Sequence, residues 1–135
     1  MDAVSRAVCI GGFAMFVFGL AIGFILKVLP NPRAALSAHL NAVQSGTFLI
    51  VLALLWPKLS VWPRVAATLG NAIWIAFWAV EVGMVIASFA PPAQEGAPAG
   101  PIRLSAAAFQ LSGAVAMFIA VTALLFTFAP AAHVG

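Results

Sequence analysis

A chain of 135 residues with 64% hydrophobic and 7% charged side chains, and a mean hydropathy of +1.15, lacks the polar surface of a water-soluble globule and reads as an all-α integral membrane protein. Six Lys and Arg against three Asp and Glu leave a formal charge of +3, but the bases are scattered at the ends of apolar segments, which excludes a nucleic-acid-binding patch. The single cysteine, Cys9, cannot close an internal disulfide, and no Cys/His spacing matches a zinc site.

Four apolar stretches, Ala7 to Leu26, Ala34 to Trp56, Val65 to Ala90 and Leu104 to Ala129, are each long enough for the about 20 residues of helix that cross a bilayer. They predict helices over about residues 7–28, 32–56, 63–90 and 103–129 of a single membrane domain spanning 1–135. The first run is too long for a signal-peptide core and no small-residue cleavage site follows it, so it is expected to stay on as helix 1. Within it, Gly19-Leu-Ala-Ile-Gly23 is a small-xxx-small pattern, which most often serves close helix packing.

Leu29-Pro30-Asn31-Pro32-Arg33 ends helix 1 and starts helix 2, with Asn31 as N-cap and Pro32 at the first helical position, so these helices form a tight hairpin. Trp56-Pro57-Lys58 and Trp62-Pro63-Arg64 bracket the next turn and place an aromatic beside a cation at each end, as a membrane interface favours. The stretch Pro91 to Pro101, rich in Pro, Gly and Ala, is expected to be irregular. Arg6, Lys58 and Arg64 fall on one side of the membrane and Lys27, Arg33 and Arg103 on the other. The positive-inside comparison is therefore a tie, and both termini are assigned to the cytoplasm of a bacterial inner membrane.

Helix 2 carries the polar chemistry. His39 is costly to bury in lipid and is the first candidate for function; it lies roughly 10 Å along the helix from Pro32. At 100° per residue, Ala35, Ala42, Val43 and Gly46 share its side, small residues that would leave room beside the ring for something flat or bulky. Ser37, Asn41, Gln44 and Ser45 cluster on the other side as a strip suited to hydrogen-bonding a ligand or a helix. The plainer reading of His39 is an imidazole bonded to a neighbouring carbonyl or hydroxyl that only holds helices together.

Glu81 is the carboxylate inside a span, sharing its face of helix 3 with Trp74, Phe77, Trp78, Val85 and Ser88. It reads either as a general acid or base, or as a structural group paired to a neighbour. On helix 4, Gln110, Ser112, Thr122 and Thr127 are weaker signals, since such side chains commonly bond to their own helix.

The segment Asn31-Pro32-Arg33-Ala-Ala-Leu-Ser37-Ala38-His39-Leu40, continuing through Gly46-Thr-Phe-Leu to Leu55-Trp56-Pro57-Lys58-Leu59, resembles the hydroxylaminobenzene mutase family and, more distantly, styrene oxide isomerase. The likeness covers all four spans in length and order, with helix 2 the specific part. It implies a four-helix membrane bundle, assembled as a homotrimer, that rearranges small hydrophobic aromatic substrates without net redox change. It also implies haem b as a Lewis acid, its iron held by His39. In the same frame Ser45 and Glu81 would be catalytic and Asn41, Gln44, Trp74 and Trp78 would contact substrate. The chain departs from the relatives where they carry Asn-Gly and it has Ser45-Gly46, and where the isomerase has Asp, Asn and Tyr and it has Ala76, Val80 and Met84. It contains no tyrosine, so no phenol can act as an acid.

The leading expectation is thus an isomerase of the arylhydroxylamine-to-aminophenol type, or of the aryl-epoxide-to-aldehyde type. Its partners would be the lipid bilayer, a small aromatic substrate and further copies of the chain. The alternatives are a small proton-coupled multidrug-type transporter and a non-catalytic haem-binding membrane protein. The transporter family keeps its glutamate in helix 1, where this chain has none.

Overall fold

The computed structural model describes residues 2–59, 61, 63–92 and 98–126. Trp62, the centre of the loop between helices 3 and 4, and the expected last turn of helix 4 with Thr127 lie outside them. The described residues form four helices and no strand: α1 (Ala3–Ile25), α2 (Pro32–Leu55), α3 (Pro63–Phe89) and α4 (Pro101–Phe126). Short 3-10 turns, Leu26–Val28 and Trp56–Lys58, prolong α1 and α2. All four are long and apolar enough to cross a membrane, and the chain is an integral membrane protein. The span of α2 has the lowest mean hydropathy, 1.6 against 1.9–2.4 for the others, because the polar residues are concentrated there.

The helix starts follow from capping. Asn31 Oδ1 accepts from the Ala34 amide at 3.2 Å with Pro32 next in line, as the sequence predicts. Asp2 Oδ1 accepts from the amide and hydroxyl of Ser5 at 2.8 and 3.0 Å, which starts α1 earlier than hydropathy alone indicates.

The chain folds as two hairpins, α1 on α2 and α3 on α4, joined where α3 packs on α2 and, less extensively, on α1. The first pair is held at backbone distance. A Cβ on Gly46 would lie 2.6 Å from the Phe16 nitrogen and 2.7 Å from the Gly12 carbonyl oxygen, so only glycine lets these helices meet here. The Asn31 amide donates to Ser88 O at 3.0 Å, tying the α1–α2 turn to the end of α3. Val8, Met15, Leu49, Leu52, Ile73 and Phe77 form the core between α1, α2 and α3. Trp56, read from the sequence as an interfacial anchor, is buried in that core instead, with its ring tip near Gly70. By contrast α4 is peripheral: 17% of its span is buried against 33–39% elsewhere, and Leu104, Leu111, Phe118 and Leu125 face outward.

Candidate active site

α2 places its two chemically distinctive groups at opposite edges of its buried face. His39 and Asn41 are two residues apart, about 160° around the helix by the shorter way. Ala35, Ala38 and Ala42 are buried between them.

The His39 edge lies against α1. Nδ1 is 2.7 Å from Gly19 O, and since a carbonyl only accepts, Nδ1–H is the donor. Nε2 is left without a hydrogen-bond partner among the described residues. Gly19 and Gly23 make this possible: a Cβ on Gly23 would sit 2.9 Å from Nδ1 and 3.0 Å from Cε1 of the ring. The Gly19-xxx-Gly23 pattern therefore packs α1 on α2 within the chain and seats the imidazole. The room expected beside His39 is not open, because α1 fills it, with Gly19 on Ala42 and Val43 and Gly12 on Gly46. What remains for a ligand is the Nε2 side of the ring.

The Asn41 edge lies against α3. Asn41 Nδ2 donates to Glu81 Oε2 at 2.9 Å, joining the amide of the polar strip to the intramembrane carboxyl. Glu81 is fully buried, and its second oxygen, Oε1, has no partner among the described residues. One turn earlier on the same face, the Trp78 indole N–H is likewise buried and unpartnered. Buried polar atoms are nearly always bonded, so two unsatisfied ones on a single face mark a place built for more than packing. Phe18 of α1 closes it, its ring centroid 5.7 Å from that of Trp78, and Trp74 follows at 6.2 Å. Ser45, one turn beyond Asn41, is buried on the same side of α2 and makes no hydrogen bond among the described residues.

The structure thus brings Asn41, Glu81 and Trp78 to one seam between α2 and α3, with Ser45 one turn along the same side of α2, and leaves His39 on the other side. Gln44 is exposed and does not join the seam, and Ser37 bonds back to Arg33 O. The Trp74 indole rests on Gly11, so its ring is a lid over α1 rather than a free stacking surface. Ala76 and Val80, two positions where the resemblance places polar residues, pack on Gly113 of α4 instead. Phe18 and Gly11 carry no chemical signal and escape a reading of the sequence. The Asn41–Glu81 bond was detectable in principle, since an amide and a carboxyl inside apolar spans need partners.

Against this geometry, the profile of the styrene oxide isomerase family matches residues 4–132 of the chain. The chain belongs to the styrene oxide isomerase family. It is similar to two proteins of Ectopseudomonas oleovorans, hydroxylaminobenzene mutase HabB, 50% identical over 50 residues, and hydroxylaminobenzene mutase HabA, 38% identical over 50 residues. Each match covers 37% of this chain, and the chain spans 30% and 37% of those relatives' lengths. As a member of the styrene oxide isomerase family, the protein has two candidate centres, the His39 edge and the Asn41–Glu81–Trp78 seam.

Proposed function

We propose that this protein is a membrane isomerase of small hydrophobic aromatic compounds, converting an arylhydroxylamine to an aminophenol, in a bacterial inner membrane. The observation that carries the reading is the family match over nearly the whole chain combined with relatives named as hydroxylaminobenzene mutases. In the reaction the N–O bond breaks, a C–O bond forms on the ring, the ring carbon loses a proton and the nitrogen gains one, so nothing is oxidised or reduced overall.

Glu81 is the carboxyl that can take up and return that proton, and Trp78 can donate its indole N–H to the migrating oxygen. Asn41 and Trp78 are half-buried, so the seam lies one side chain below the protomer surface, where an apolar substrate enters sideways from lipid. Ser45 lines the same side of α2 and can orient the polar head of the substrate.

The residues fit a haem group at His39. An imidazole whose Nδ1–H is committed to Gly19 O presents an unprotonated Nε2, the form that ligates iron. Haem b held there supplies a Lewis acid for the substrate oxygen when bound. For His39 and Glu81 to serve one substrate, the His39 edge of one copy must approach the α2–α3 seam of another, which argues for an assembly of copies, proposed here as the homotrimer that the resemblance implies.

The test is direct. Membranes containing the protein are given phenylhydroxylamine and aminophenol is measured. The reading requires faster formation than in membranes lacking the protein, and loss of that excess in Glu81→Gln.

A further inference from the structure

The sequence marks Asn41 as a substrate contact, yet one of its two amide N–H groups is given to Glu81. We infer that Asn41 is instead a positioning residue: it reserves Glu81 Oε2 as an acceptor, fixes the exchangeable proton of the carboxyl on Oε1, and so makes Oε1 and the Trp78 indole N–H a two-point receptor for one oxygen-bearing polar group.

An amide nitrogen only donates, so with Asn41 oriented as it is here Oε2 offers a lone pair at the 2.9 Å contact. A proton on Oε2 would point at the amide hydrogens of Asn41. When Glu81 carries a proton, that proton therefore sits on Oε1, and when it does not, Oε1 is the oxygen with no donor. The indole nitrogen of Trp78 is also donor-only, buried and without a partner among the described residues, three residues away on the same face of α3. A ligand group satisfying both atoms has an oxygen lone pair for the indole and a hydrogen to exchange with the carboxyl. A neutral hydroxyl on nitrogen or carbon has both, and its aromatic body would lie beside the Phe18–Trp78 ring pair.

The ligand class rests on the mutase reading above; the positioning of Glu81 does not. Both are tested on the purified full-length protein in mild detergent. The infrared bands of the Glu81 carboxyl are assigned by their loss in Glu81→Gln, then compared in wild type, Asn41→Leu and Asn41→Gln. The inference predicts a higher carbonyl frequency in Asn41→Leu, where the bond to Oε2 is gone, and return toward wild type in Asn41→Gln, which keeps an amide.

In the phenylhydroxylamine assay, Asn41→Leu should lose roughly tenfold to a hundredfold in kcat with KM little changed, as expected for loss of one hydrogen bond to a reactive carboxyl. Trp78→Phe should instead raise KM. A Glu81 band unmoved in a folded Asn41→Leu protein overturns the positioning role even if the wild type is an active mutase. A moved band in a protein that leaves phenylhydroxylamine unchanged supports the positioning role and sinks the mutase reading. Unaltered KM in Trp78→Phe overturns the two-point receptor.

Discussion

Gly23→Ala probes the seating of His39 without touching the imidazole. The new methyl would lie 2.9 Å from Nδ1 and 3.0 Å from Cε1, while ordinary contact needs about 3.4 Å or more. The ring must therefore withdraw by about 0.5 Å, since one turn away Gly19 already packs closely on Ala42 and Val43 and holds α1 against α2. A withdrawal of that size stretches the 2.7 Å bond to Gly19 O to about 3.2 Å, the long end of useful geometry. Loosening the group that orients a ligating imidazole costs about tenfold to a hundredfold in metal affinity. Titration of haem into the purified protein, followed by its Soret absorption, should show a weakening of that size in Gly23→Ala and loss of specific binding in His39→Ala. Equal affinity in wild type and Gly23→Ala would refute the idea that the Gly19 carbonyl sets the ligand nitrogen.

Glu81→Gln keeps an oxygen for Asn41 but cannot move a proton, so it should fold normally and lose about 10²–10⁴-fold in activity. Replacing Glu81 and Asn41 together by Leu removes the polar pair whole; thermal unfolding in detergent should shift little or upward while activity is lost, because an unsatisfied buried oxygen disappears. Gly46→Ala forces a methyl onto the α1 backbone and should destabilise by about 1–3 kcal/mol, read from the same unfolding measurement. At the start of α1, the Ser5 amide bonding Asp2 holds that carboxyl below its usual value of 3.8, aided by the Ser5 hydroxyl. The cap therefore stabilises the folded chain at neutral pH and is lost as pH falls from about the usual carboxylate value through the lowered one; protection of the first-turn amides, taken relative to intrinsic exchange at each pH, should fall over that window in wild type and be low throughout in Asp2→Ala.

The helices were legible because apolar length and proline punctuation are local properties. Pro32 behind Asn31 opens α2 as the residues imply, and the chain has four helices of membrane-spanning length. The early start of α1 was missed because hydropathy gives no weight to a capping Asp2–Ser5 pair. Helical spacing also separated the His39 side of α2 from the Asn41 side. It could not say what would fill each: small residues around His39 suit a flat ligand or a neighbouring glycine helix equally, and α1 takes the space. Trp56 was misplaced for a related reason, since a tryptophan at a helix end suits an interface or a core, and only tertiary packing decides. The pairing of Asn41 with Glu81 spans 40 residues, beyond any local pattern, although both side chains were marked as needing partners.

The proposed mutase moves an oxygen within one substrate molecule. Purified protein given phenylhydroxylamine labelled in its oxygen, in unlabelled water, tests it most directly. An intramolecular transfer gives aminophenol formed faster than in a protein-free control and carrying the label. Absence of any acceleration, or product whose oxygen comes from water, would contradict it.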